Sequence, residues 1–205
     1  MRLRTATLTL AIGLFTSTAH AATITFDDFA LAPGADTGIA NGYQGFNWSN
    51  FRAADPGPTL VGSGYENGTV TQENVAVNAF GDPASFSSAG TFTLNSLYMS
   101  AAWRDGMTVR VLGRLNGDIL FSQSLLVDHT GPNLFVFNWS GINGVFFDAS
   151  GGVQVPTLLN DGSHFAIDNL SVTVDQTAVP EPGTLLLLGG GLAAAGLTLR
   201  RKARA

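Results

Sequence analysis

Residues 107–127 read MTVRVLGRLNGDILFSQSLLV, and this stretch decides the fold class. Asn116-Gly117 divides two runs rich in Val, Ile, Leu and Phe. Asn-Gly enters a two-residue type I′ turn at least cost, because both central residues of that turn need positive φ. Before the turn, Met107, Val109, Val111 and Leu115 alternate with Thr108, Arg110, Leu112 and Arg114. A strand sends successive side chains to opposite faces, so the stretch predicts an antiparallel hairpin with one face in a core and the other largely in solvent. Trp103-Arg104-Asp105-Gly106 reads as the connection leading into it.

The same texture extends from Ala22 to Ala178: short runs of Val, Ile, Thr and Phe alternate with clusters of Gly, Asn, Asp, Ser and Pro. No window carries a sustained 3.6-residue apolar period. Strands are predicted at 23–26, 45–49, 69–71, 75–80, 85–87, 92–101, 108–115, 118–127, 133–139, 144–149 and 164–174. The chain is therefore all-β, and so many short strands suggest an antiparallel β-sandwich. Phe-Asn-Trp-Ser occurs at Phe46–Ser49 and again at Phe137–Ser140. Period-two spacing aligns Phe46 with Trp48, and Phe135 and Phe137 with Trp139, which predicts core strands because aromatic stripes bury so much area. The last strand changes phase: Phe165 and Ile167 have one parity, Leu170, Val172 and Val174 the other. Either a β-bulge near Asp168 and Asn169 reconciles the two halves and re-aims those side chains, or the strand is buried on one face first and on the other afterwards.

Composition excludes several activities. There is no cysteine, hence no disulfide framework, thiolate zinc site or cysteine nucleophile. Six of the ten Lys and Arg residues lie at the two ends: Arg2, Arg4, Arg200, Arg201, Lys202 and Arg204. Between them four arginines face fourteen carboxylates, a formal balance of minus ten that disfavours nucleic acid as a partner. No nucleophile elbow, HExxH pair, phosphate-binding Gly loop or EF-hand loop is present. Adjacent Asp27 and Asp28 point to opposite sides of a strand and make a poor acid and base pair. The domain is thus expected not to be an enzyme.

Both ends carry addresses. Arg2 and Arg4 precede an apolar segment, Leu8 to Phe15, too short to span a membrane, and Ala19-His20-Ala21 supplies the small-x-small pattern of signal peptidase. Residues 1–21 are expected to be a signal peptide cleaved after Ala21; the alternative is an uncleaved N-terminal anchor, against which the shortness of the segment argues. At the other end, residues 179–205 read VPEPGTLLLLGGGLAAAGLTLRRKARA. Pro180 and Pro182 hold the first residues extended. The uncharged run Thr184–Leu199 would reach about 24 Å as a helix, short of a hydrocarbon core of roughly 30 Å. Counting Gly183 and letting Arg200 and Arg201 snorkel narrows the gap, so a marginal transmembrane helix over about 183–199 is expected, with Arg200, Arg201, Lys202 and Arg204 as a cytoplasmic stop. A helix docked on the domain is the alternative, but it would show polar residues on one face.

The run VPEP, the apolar span and RRKAR together resemble the PEP-CTERM sorting signal of bacterial exported proteins. The resemblance covers only this tail. It implies Sec export, transient anchoring in the inner membrane, recognition of Pro180, Glu181 and Pro182 by an exosortase, and delivery to the cell surface or the exopolysaccharide matrix. Residues 22–178 are then the exported domain.

Within that domain, Asp27 and Asp28 follow the first strand and Asp168 sits at the phase change of the last. Neighbouring first and last strands would gather these carboxylates around a hard cation such as calcium. The pattern, with Ile167-Asp168 in the last strand, resembles the jelly-roll carbohydrate-binding modules. That resemblance implies a structural calcium near both termini and exposed aromatic residues for sugars, for which Trp103, Tyr43 and Tyr65 are the candidates. The alternative is that the Asp residues are solvated strand ends and the aromatics pack locally. Three functions follow: a non-catalytic surface or matrix protein, a calcium-stabilised carbohydrate-binding module, and an extracellular hydrolase.

Overall fold

The hairpin forms as the sequence predicts. In the computed structural model, Asn116 and Gly117 have φ of 52° and 96°, and the flanking strands pair antiparallel from Met107 opposite Val127 to Leu115 opposite Asp118. The structure describes residues 21–71, 73–175 and Gly189. Its strands are β1 (Ala21–Ile24), β2 (Asp36–Gly38), β3 (Asn47–Ser49), β4 (Phe51–Ala54) and β5 (Val75–Asn78), followed by β6 (Ala84–Ala101), β7 (Arg104–Leu115), β8 (Asp118–Val127), β9 (Asn133–Gln154) and β10 (Phe165–Val174). The one described α-helix of four residues, α1, is Gly64–Asn67. The signal peptide up to His20 with Ala19, and the sorting segment with Pro180, Glu181, Pro182, Arg200, Arg201, Lys202 and Arg204, lie outside the described residues, as does the expected transmembrane helix apart from Gly189. Ala21 opens β1, opposite Thr173 of β10.

Hydrogen bonds link the strands in the order β2-β4-β5-β10-β6-β9-β7-β8, with β1 on β10 and β3 on β6, all antiparallel. The sheet does not lie flat. β4 and β9 stand four places apart in this order, which in a flat sheet would separate them by about 19 Å. Yet the Phe51 ring of β4 is 5.8 Å from that of Phe147 in β9. The sheet is rolled over on itself into a jelly-roll-like sandwich, and the aromatic residues fill the space between its layers. Phe26, Phe86, Phe92, Phe147 and Phe165 are fully buried there.

The long strands β6 and β9 make the roll. The sequence predicts each as two pieces, 85–87 with 92–101 and 133–139 with 144–149, but each is continuous. Register shifts between Ser87 and Ser96 bend β6 against β9, so the same two strands serve both layers. The repeated Phe-Asn-Trp-Ser runs are core: Phe46 and Trp48 are buried, as are Phe137 and Trp139. Gly113 is required by this packing, because a Cβ there would stand 2.9 Å from the Trp139 indole, which stacks on Phe121.

The phase change in β10 is a bulge. Its register against β6 shifts between Asp168 and Ser171, and Asn169 has φ of 47°. Residues 69–71, expected as a strand, form a loop instead: the amides of Val70 and Thr71 bond the Asp168 carboxylate at 2.7 and 3.0 Å, and no strand takes them. β5 stops at Asn78 and does not reach Phe80, because a turn follows at Ala79–Gly81. β2 and β4 have no counterpart among the predicted strands, because DTG and FRAA carry too little apolar pattern for period two to show.

Candidate functional site

A groove of about 670 Å³ opens on the face of β4 and β5 turned away from the aromatic core. Ala54, Tyr65 and Val77 line its apolar side, and they belong to a second apolar cluster with Val75, Ala102, Trp103 and Ala166. Strand alternation explains this second layer: Ala53 and Ala76 face the main core, while Ala54, Val75 and Val77 face outward. α1 supplies Tyr65. Its backbone lies so close to the β6–β7 link that a Cβ on Gly64 would fall 1.6 Å from the Ala101 carbonyl oxygen, and Ser63 caps the turn through the Tyr65 and Glu66 amides. The Tyr65 hydroxyl and His164 Nδ1 share a hydrogen bond of 3.1 Å. Burial holds the Tyr65 phenol well above its ordinary range and pushes the His164 imidazole below its own, so both are neutral at pH 7.

The rim is polar. Asp36 of β2 and Arg52 of β4, diagonal to one another across the strand pair, form an ion pair, and buried Asp55 accepts the Gly57 amide at 2.8 Å. Phe80 stands beside them, 84 % exposed, with φ of 58°. A left-handed phenylalanine is strained and persists only where its surroundings fix it. Two asparagines do so here. Asn50 Nδ2 donates to the carbonyls of Ala79, Asp82 and Pro83 at 3.0 to 3.3 Å, and Asn78 Nδ2 donates to those of Asp82 and Ser163. Asn78 Oδ1 in turn accepts the Phe165 amide at 2.8 Å. An apolar floor, a polar rim and one projecting aromatic ring suit the holding of a ligand by stacking and hydrogen bonds.

The three aspartates are not gathered together. Asp27 and Asp168 meet at the loop before β5: Asp27 Oδ1 accepts the amides of Glu73 and Asn74 at 3.2 Å, and Asp168 accepts those of Val70, Thr71 and Asn169. Asp28 turns away to Tyr43 and Gln44, taking the Tyr43 hydroxyl at 2.5 Å. Burial raises the Asp168 carboxyl against the lowering effect of its amide bonds, with the nearby Asp27 charge adding to the rise. Five N–H groups aimed at these two carboxylates make an anion-holding arrangement, the wrong polarity for a cation. Among the described residues no three His, Asp or Glu side chains converge as a metal cluster. In this arrangement Asp27 and Asp168 are engaged by backbone amides and Asp28 by Tyr43 and Gln44.

Of the aromatic candidates, Tyr65 is 7 % exposed and forms part of the groove wall, whereas Trp103 is 5 % exposed beneath it, their rings 5.0 Å apart. Trp103 is therefore corrected from an exposed platform to a buried support: its neighbours on the sheet face cover the indole. Tyr43 packs against the main core beside Phe29 and is tied to Asp28. His129 bonds Asp105 at 2.6 Å and does not line the groove. Phe80 and His164 were missed. The predicted strand 75–80 ends on Phe80, whereas Asn78 before it and Gly81-Asp82-Pro83 after it carry the turn signal.

A comparison with curated proteins by sequence gives no match. Among solved structures the fold is similar to two DUF4465 family proteins. One, from Bacteroides ovatus, has TM-score 0.49 and 7 % identity, covering 77 % of this chain and 99 % of that one. The other, from Bacteroides caccae, has TM-score 0.45 and 11 % identity, covering 76 % and 100 %. TmCBM61, solved with beta-1,4-galactotriose, is more distant at TM-score 0.33 and 10 % identity, covering 66 % and 94 %. Residues 178–202 match the PEP-CTERM protein-sorting motif, which implies export, C-terminal membrane anchoring and processing by an exosortase; the chain carries a PEP-CTERM sorting signal behind a β-sandwich.

Proposed function

We propose that this is an exported, exosortase-processed protein of the cell surface or exopolysaccharide matrix, and that its β-sandwich works by binding and not by catalysis. The sorting motif at 178–202 is the observation that carries the reading. By this reading signal peptidase removes residues 1–21, the inner membrane holds the chain briefly through residues 183–199, and exosortase acts at Pro180, Glu181 and Pro182. Intact-mass measurement of the protein from its host, with and without the exosortase gene, tests it. A product shortened near Pro180 only when the enzyme is present is expected; one still ending at Ala205 in the normal host refutes the sorting role.

A second reading, a carbohydrate-binding module, is favoured by the groove. A sugar ring offers an apolar face to Phe80 and hydroxyl groups to Asp55, His164 and the Asp36 and Arg52 pair, and the acidic domain suits a neutral polysaccharide better than an anionic one. Retention of the processed protein on neutral polysaccharide gels, lost on Phe80→Ala, is the expected result; equal retention of the variant removes the groove from the reading. The calcium-stabilised form of this reading requires the amides of Val70, Thr71, Glu73 and Asn74 to turn away from Asp27 and Asp168. Melting with and without millimolar calcium decides it: a rise in midpoint establishes the ion, and an unchanged midpoint removes it. An extracellular hydrolase is tested on a polysaccharide and peptide panel, where no turnover is expected.

A further inference from the structure

We infer that the outer edge of β8 pairs with β8 of a second copy of this chain, in an antiparallel two-fold register centred on Gln123. β8 ends the sheet, and among the described residues it pairs only with β7. Its other edge presents unpaired backbone donors and acceptors, which proteins normally guard with charge, proline, a bulge or a covering segment. From Ile119 to Val127 there is no charge, no proline and no glycine. The one guard is a bulge near Leu120, where the register against β7 shifts.

The occupant follows from the sequence of the edge itself. ILFSQSLLV has the same chemical order read in either direction about Gln123: Ser122 mirrors Ser124, Phe121 mirrors Leu125, Leu120 mirrors Leu126, and Ile119 mirrors Val127. Antiparallel pairing of two identical strands through Gln123 brings each residue opposite its mirror, on the same face of the extended sheet. Leu120 and Leu126, 49 % and 65 % exposed in the single chain, then cover one another twice, once on each side of the axis. A one-residue slip would set serine against leucine and lose these pairs.

Charge selects the same contact. Two copies of a domain with four arginines and fourteen carboxylates repel one another, and this edge lets their backbones meet with no charge between the strands. The resisting charges stand at the ends, where Asp118 falls opposite Asp128 of the second copy. Salt screens them, so the association tightens as ionic strength rises. One strand pairing buries less than the roughly 1,600 Å² of a standard interface, so the dimer is weak, with Kd on the order of 10 to 1,000 µM, and fills where anchored copies are crowded.

Sedimentation of the processed protein from about 10 µM to about 1 mM is expected to show a mass rising toward a dimer and levelling there. Gln123→Lys, which places like charges on the axis at an exposed position, is expected to stay monomeric with an unchanged melting midpoint. Because the chain has no cysteine, Gln123→Cys supplies a single thiol on the axis. A short bismaleimide is expected to link its copies about tenfold faster than those of Leu159→Cys, a fully exposed control. A monomer at every concentration overturns the inference, as do equal linking rates for the two thiols. A mass that grows beyond the dimer without levelling overturns the closed two-fold arrangement.

Discussion

Phe80→Gly separates an aromatic residue that holds the fold from one held by it. Phe80 is 84 % exposed, so about a sixth of its side chain, ~30 Å² of the roughly 200 Å² available, is covered; at about 25 cal/mol per Å² this contributes ~0.8 kcal/mol. Its φ of 58° costs a residue with a Cβ about 1–2 kcal/mol, which glycine does not incur. Glycine in turn has about 0.5–1 kcal/mol more freedom to lose on folding. The terms offset, and the expected change is about zero, within ~1 kcal/mol either way, or no more than about 4 °C in Tm for a domain of this size. Urea and thermal unfolding of the processed protein read this directly, with gel retention measured on the same samples. Unchanged stability with lost retention places Phe80 in the ligand's service. A loss above about 2 kcal/mol refutes the reasoning, since it makes the ring a structural wedge whose burial outweighs its strain.

Other perturbations test the elements around it. Gly113→Ala forces a methyl to 2.9 Å from the Trp139 ring and 3.3 Å from Phe121, and overpacking of that kind costs about 1–3 kcal/mol in chemical denaturation. His164 has its folded pKa lowered by burial, so the unfolded chain binds the proton more readily; the neutral-imidazole contribution is fully present above about pH 6.5 and declines as pH falls below it, and His164→Gln is expected to flatten that part of the stability profile. Asp168 behaves in the opposite sense: burial raises its folded pKa, so its contribution favours folding as pH falls toward the unfolded value of about 3.9, a trend that Asp168→Asn removes. Asp168→Ala leaves the Val70 and Thr71 amides without their acceptor, and is expected to cost about 1–3 kcal/mol and to speed amide exchange at 70–71 more than in β7.

Where local chemistry was strong, the sequence was sufficient. Asn-Gly fixed the turn of the β7–β8 hairpin because few residue pairs accept two positive φ values, and alternation then fixed which face of β7 is core. The opposite parities of Ile167 and Leu170 required either a bulge or an exchange of faces, and the sheet register chose the bulge at Asp168 and Asn169. The site was legible only in part. Tyr65 is legible from its place near Gly-rich turns, but the burial of Trp103 is not: a tryptophan beside a turn motif looks the same whether a neighbour covers it or not. Asp27 and Asp168 do reach one loop, but the sign of what surrounds them depends on where the amides of Val70, Thr71, Glu73 and Asn74 point, and amides have no signature in a sequence.

The sequence by itself determined the all-β class, the main hairpin, the aromatic core positions and the sorting motif, because each depends on residues near one another in the chain, through turn conformation, period-two patterning or linear recognition. The tertiary structure decided how β6 and β9 bend into the roll, which aromatic rings lie under others, that Phe80 stands over a groove, and that β8 is left as an edge. Those outcomes depend on contacts between strands far apart in sequence, where the geometry of the whole sheet sets what each side chain meets.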